Sequence, residues 1–224
     1  MLTILLGGGV NMSKVTPLVI TINHQFGSGG ACLAQKIAEK LNMLYIDHQI
    51  IDMTARKLNI SSEQVKAGDE KPTSFWHSIL QYLAYIDTST YTTLDLKPTT
   101  NREIYNVEVQ AILESYKGKS AVILGRGSSY ILRKHPRHAS IFLYADSNYR
   151  VKRIQKINNL SEEEALKLVK STDKVRDLYI REMTGHELED ACQYHLSLDS
   201  GILGLDETEK IILEYIHARF GEIL

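Results

Sequence analysis

Residues 21–41 read TINHQFGSGGACLAQKIAEKL, and the reading of this stretch decides the fold. Its start belongs to PLVITIN (17–23), a continuous apolar and β-branched run that begins at a proline and ends at a polar turn. Such a run predicts a buried parallel strand. Its end places Ala34, Ile37, Ala38 and Leu41 on one helical face. Between them lies a turn holding Gly27, Ser28, Gly29 and Gly30. Strand, glycine-rich turn and amphipathic helix, in that order, is the layout of a loop that cradles phosphate. Glycines permit positive φ and bring backbone N–H groups close to an anion, and the helix start adds its dipole. The same layout also serves as a sharp turn with no ligand. Phosphate loops normally carry a lysine that reaches the transferred phosphates, then a hydroxyl that holds Mg²⁺. Gly30 and Ala31 stand at those places here.

Outward from this stretch, strands and helices alternate. MLYID (43–47) predicts a second strand, and HQIIDMTARKLN (48–59) a helix. Residues 61–100 change character: a turn-rich linker, an aromatic amphipathic helix at 75–86, then a polar, threonine-rich loop. They read as an insertion over the top of the core. Helical periodicity returns over 101–116. SAVILGRGSS (120–129) predicts a third buried strand, SIFLYA (140–145) a fourth and YHLSLDS (194–200) a fifth. Asp146 is placed to cap a helix carrying Arg150 and Arg153, and Ser161 with Glu164 has capping-box spacing for a helix over 161–183. Glu207 to Arg219 closes the chain as a helix. The alternation predicts an α/β fold, an open five-stranded parallel sheet with helices on both faces.

Composition bounds the function. The 224 residues hold 26 Lys+Arg against 27 Asp+Glu, a net charge of −1, so no global basic field argues for nucleic acid or an anionic membrane. Any anion site must be a local cluster. Cys32 and Cys192 make neither a disulfide framework nor a metal set and suit a reducing, cytoplasmic setting. No apolar run reaches the roughly 20 residues that span a bilayer. Gly7-Gly8-Gly9 shortly before Met12 reads as a translated ribosome-binding site. Met12 is therefore the expected natural start, and residues 1–14 are expected to be a non-native or disordered extension of one domain spanning 15–224.

In an open parallel sheet, ligands sit beyond the carboxyl ends of the strands. The glycine loop with His24 follows the first strand, Asp47 the second and Arg126, flanked by Gly125 and Gly127, the third. Asp47 suits a sugar hydroxyl or a Mg²⁺-bound water, and suits equally a helix N-cap. Arg126 suits bidentate contact with a phosphate, or a surface ion pair. Arg150, Arg153, Arg176 and Arg181 lie on predicted helices, where charges are mostly solvated. Asp173 and Arg176 stand at i, i+3, the spacing of an intrahelical pair. The eight histidines show no zinc spacing, and no Gly-x-Ser-x-Gly elbow is present. Trp76, Tyr82 and Tyr85 are helix-spaced and suit a core or an interface.

Together these pieces resemble bacterial cytidylate kinases, and more closely the cytidylate kinase-like family with a Gly-Ser-Gly-Gly phosphate loop. The resemblance runs from residue 17 to about 219 and is carried by ITINHQFGSGGACLAQKIAEKLNMLYID, VILGRGSSYIL, FLYADSNYRVKRI, Asp173-x-x-Arg176 and YHLSLDSGILGLDETEKIILEYI. It implies a P-loop kinase fold, a helical acceptor-side insertion at 61–100, a lid over 161–185, and transfer of the ATP γ-phosphate to CMP or a similar nucleotide, with ATP and Mg²⁺ as cofactors. It implies that His24, Gly27, Ser28, Gly29, Gly30 and Ala31 surround the donor phosphates. Asp47 and Asp173 are implied near the acceptor or its ribose, with Arg126 and Arg176 gripping the acceptor phosphate. Arg150, Arg153 and Arg181 are implied to stabilise charge from the lid. Nucleotide substrates, no membrane, no nucleic acid and a homodimer are the expected partner pattern. Three departures stand out: the absent lysine and hydroxyl, His24 in place of the first loop glycine, and Gly125-Arg126-Gly127 where relatives have Gly-Arg-Asp. They leave room for a nucleotide- or anion-binding protein without catalysis, or for a kinase of a non-nucleotide acceptor.

Overall fold

A computed structural model describes residues 16–47, 49 and 101–222. The expected extension 1–14, nearly all of the helix 48–59 and the insertion 61–100 with its aromatic residues lie outside the described residues. Five strands form one parallel sheet in the order β2-β3-β1-β4-β5. They are β1 (Val19–His24), β2 (Leu44–Ile46), β3 (Ala121–Leu124), β4 (His138–Tyr144) and β5 (Leu196–Asp199). The helices are α1 (Gly30–Lys40), α2 (Asn101–Ser115), the short α3 (Ser128–Ile131), α4 (Ser147–Asn158), α5 (Glu162–Thr184), the short α6 (Ser200–Leu203) and α7 (Leu205–Phe220). Each strand read from the sequence is present. The sheet order, α3, α6 and a 3₁₀ turn at Ala191–Gln193 were not legible there.

β1 is the central strand, so both its faces are covered, which is why its sequence is apolar without alternation. Ile20 and Ile22 pack with Leu33, Ala34 and Ile37 of α1 and Ile212 and Ile216 of α7. Val19 faces the other way, with Ile123 of β3, Ile112 of α2 and Leu132 after α3. The chain therefore leaves β1 for one face through α1 and leaves the neighbouring β3 for the opposite face through α3. A crevice opens where adjacent strand exits diverge, and that is where ligands bind in such sheets.

Caps fix the long helices that flank this crevice. Asp146 accepts from the Asn148 amide at 2.8 Å to start α4. Ser161 and Glu164 form the expected capping box of α5, and left-handed Gly185 ends it. Such caps each stabilise a helix by about 1 kcal/mol. Here they also fix where Asp173 and Arg176 fall along α5.

Candidate functional site

The turn after β1 is held open from below. Its Gln25 amide donates to the Leu143 carbonyl (2.9 Å), and its Gln25 Oε1 accepts from the Ala145 amide (3.1 Å). Ser28 is fully buried; its hydroxyl donates to the Gln25 carbonyl (2.8 Å) and its amide to the same oxygen (3.2 Å). Ser28 thus closes the turn from inside, and neither of its donors is left for a ligand. Ser200, which sequence reasoning missed, donates from its hydroxyl to the Ser28 carbonyl at 2.7 Å and ties the β5 exit to the loop. No local pattern around Ser200 signals that contact, because it spans 172 positions.

Two other expected site residues form the loop's foundation. Arg150 is 8% exposed. Its guanidinium donates to the Ala145 carbonyl (3.0 Å), to the Phe26 carbonyl (3.2 Å) and to the Asp173 carboxylate. The other Asp173 oxygen accepts from the Phe26 amide at 2.7 Å. The pair therefore clamps the Phe26 residue at both ends, amide and carbonyl. Asp173 is partnered with Arg150 on α4, not with Arg176 at i+3. Gly27, at φ +86°, lies directly over this pair: a Cβ there would stand 3.0 Å from the Arg150 carbonyl oxygen.

Above the foundation the loop presents donors. Gly29 caps α1 with φ +91°, and the first helical bond runs from the Leu33 amide to the Gly29 carbonyl at 3.1 Å. The amides of Gly30, Ala31 and Cys32 therefore have no intrahelical acceptor and point out of the helix start. Cys32 was not among the expected residues; its signal is positional, the third residue of a helix after a glycine loop. Such a set of backbone donors suits an anion, so the loop is a candidate anion cradle.

A guanidinium from α5 meets the start of the loop. Arg176 Nη1 donates to the His24 carbonyl at 3.1 Å, lies 3.4 Å from His24 Nε2, and sits 5.4 Å from the centre of the Phe26 ring. Burial, then the Arg176 charge, hold the His24 imidazole well below its ordinary pKa. His24 is therefore neutral at physiological pH.

At the next strand exit, Gly125, Arg126 and Gly127 all take left-handed backbone, at φ +69°, +55° and +65°. For a non-glycine residue this costs on the order of 1 kcal/mol. Glycine neighbours make the turn feasible and lift Arg126 out of the sheet edge. Asp47 follows β2 and accepts from the Gln49 amide at 3.0 Å, a contact of the N-cap kind. The cradle, Arg126 and Asp47 therefore follow β1, β3 and β2, which are neighbours in the sheet.

Among the described contacts, neither Arg181 nor Arg153 meets the loop. Arg181 pairs with Asp177 (2.9 Å) and Glu187 (3.0 Å) and is half exposed. Arg153 is partly buried on α4 and has no ion pair among the described residues. Beside Gly127 a small pocket is lined by Asn23, Ser129, Thr184, His186 and Tyr194. Burial pushes the Tyr194 phenol up to about 12, so it stays protonated and is no base at neutral pH. For Mg²⁺, Ala31 offers no ligand, and no cluster of three acidic, His or Cys side chains that could hold an ion exists among the described residues. The described residues thus fit a phosphate chain but do not form a metal site of their own.

Comparisons with known proteins agree with this geometry. The profile of the cytidylate kinase-like family matches residues 19–202. A cytidylate kinase of Pyrobaculum islandicum is 23% identical over 91% of this chain and 95% of its own length. An uncharacterised protein of Eubacterium ventriosum superposes with a TM-score of 0.67 at 25% identity, covering 90% of this chain and 99% of its own. A shikimate kinase of Bacteroides thetaiotaomicron superposes with a TM-score of 0.50 at 11% identity, covering 89% of this chain and 98% of its own. A gluconokinase of Sinorhizobium meliloti gives 0.50 at 14%, covering 92% and 94%. The fold is that of P-loop kinases. No helix among the described residues is long and apolar enough to cross a membrane.

Proposed function

Since the chain belongs to the cytidylate kinase-like family, we propose that it is a phosphotransferase that carries the ATP γ-phosphate to CMP or a similar nucleoside monophosphate. The observation that carries this reading is the row of groups on adjacent strand exits: backbone cradle with Arg176 on β1, Arg126 on β3, Asp47 on β2. Donor phosphates lie in the cradle on the amides of Gly30 to Cys32. Arg176 neutralises charge over the loop, and Arg126 grips the acceptor phosphate bidentately. Asp47, two strands from the cradle, is assigned to the acceptor sugar.

The chemistry asks little of the protein beyond position. An acceptor phosphate oxygen, already anionic near neutral pH, attacks the γ-phosphorus; one P–O bond forms, the bond to ADP breaks, and no proton must be removed. A crevice furnished with guanidinium groups and amides suits this, whereas an alcohol acceptor needs a group to take its proton. ATP brings Mg²⁺ on its own phosphates, and no step is assigned to a protein-held ion.

The test is ATP turnover by the full chain with a panel of nucleoside monophosphates and small alcohols, followed by ADP release with Mg²⁺ present. Turnover with pyrimidine monophosphates is expected. ATP binding by calorimetry without turnover on any acceptor overturns the kinase reading. It favours the reading without catalysis, to which the absence of a lysine at Gly30 and a hydroxyl at Ala31 lends support.

A further inference from the structure

Gly30 is the first residue of α1 and does not take the left-handed backbone that would require glycine. Backbone conformation therefore does not call for the glycine, and its presence has another reason. That reason is His24. A Cβ at Gly30 would stand under 3.0 Å from Cβ, Cγ and Cδ2 of His24. These atoms are the root of the side chain, not its far end, and the Cβ contact, fixed by the β1 backbone, is not relieved by turning the ring. A side chain at position 30 and an imidazole at position 24 are mutually exclusive. The imidazole in turn meets Arg176, which donates to the His24 carbonyl at 3.1 Å and lies 3.4 Å from Nε2. Phe26 flanks the same guanidinium at 5.4 Å.

We propose that His24, Gly30 and Arg176 act as one exchangeable unit that replaces the phosphate-loop lysine, with His24 as the positioning residue that seats the Arg176 guanidinium at the cradle. Glycine at 30 makes room for the ring, the ring and its carbonyl fix the guanidinium, and the guanidinium supplies the cation. A neutral imidazole can accept from the guanidinium through Nε2, whereas an imidazolium would repel it; His24 is held neutral by burial and by Arg176 itself. The inference rests on the donor-site reading of the loop, and does not depend on which acceptor is used.

It predicts a reciprocal pattern among variants of the full chain. G30K alone collides with the ring and is expected to lower ATP affinity and kcat by about tenfold or more, in the range for losing one preorganised donor. H24G alone loses the seat and is expected to fall by a similar factor, about tenfold in kcat with the acceptor KM nearly unchanged. H24G/G30K restores a lysine with room to extend, and should recover at least about tenfold over either single variant. In that background Arg176→Ala should cost about tenfold less than in the wild-type chain. A double variant no better than the worse single one overturns the proposal, as does an Arg176→Ala cost equal in both backgrounds.

H24A removes the ring without adding a side chain at 30. If it melts near the wild-type temperature yet binds ATP with wild-type affinity, the seat does not exist. All variants are also compared by calorimetric ATP affinity. Wild-type chain that binds ATP but turns over no acceptor would refute the kinase reading, while the same ordering of affinities would still support the seat.

Discussion

Asp173→Ala separates two roles for one carboxylate. The family likeness places Asp173 near the acceptor or its ribose; the structure partners it with Arg150 and with the Phe26 amide at 2.7 Å. The Arg150 and Asp173 side chains are only 10% and 20% exposed. Removing one member of such a pair leaves an uncompensated charge, which typically costs about 3–5 kcal/mol. For a chain of this size each kcal/mol shifts Tm by roughly 2–4 °C, so Asp173→Ala should lower Tm by roughly 6–20 °C. The Phe26 amide also loses its acceptor, so the loop shifts, and a displacement of about 1 Å can lower kcat about 100-fold. The assay is a thermal melt and a urea titration beside steady-state kinetics, repeated in an Arg150→Met background. There the same substitution should cost about 2 kcal/mol less, because the buried charge is already gone. A Tm within about 2 °C of wild type, with only the acceptor KM raised, would refute the clamp and return Asp173 to the acceptor.

Arg126→Ala should lower kcat/KM for the acceptor by about 10²–10³-fold while leaving ATP affinity within about twofold, read by kinetics and calorimetry. Gly29→Ala should destabilise by more than about 1 kcal/mol in urea titrations, since Gly29 sits at φ +91° and a Cβ would press on Leu205. Stability should fall with acid. His138 is buried against Thr21 Oγ1 (2.8 Å), and burial, then the neighbouring His195, hold it down to about 3. The unfolded chain binds this proton near pH 6.5 and the folded chain does not, so stability is full above that pH and is lost as pH falls toward 3. About 2 kcal/mol should disappear between pH 6.5 and pH 5, and His138→Gln should flatten that slope in urea midpoints. An unchanged slope would mean that His138 is protonated within the fold.

The strands and the long helices were legible because their signals are local. β1 announces itself by an unbroken apolar run, and α5 by Ser161 and Glu164 at its start. The glycine loop, too, was legible as a cradle, since strand, glycines and helix are contiguous. Roles that depend on partners were not. Ser28 read as a phosphate ligand and instead closes the turn; Arg150 read as a lid charge and instead lies under the loop. A residue's type states what it can bind, but not which of several distant carbonyls or carboxylates the fold will bring to it.

The sequence by itself therefore determined the class of fold and the order of its elements, and put the candidate site at the strand exits, because periodicity and caps act within one or two turns of chain. Only the tertiary structure decided the sheet order, and with it the row of cradle, Arg126 and Asp47 on neighbouring strands. It also decided which arginine stands against His24, and so which one is proposed to answer for the lysine that Gly30 lacks. Arg150, Arg153, Arg176 and Arg181 are alike in sequence, but among the described contacts only Arg176 is held against His24, from a position 152 residues away. Packing across the sheet makes that choice, and no local pattern encodes it.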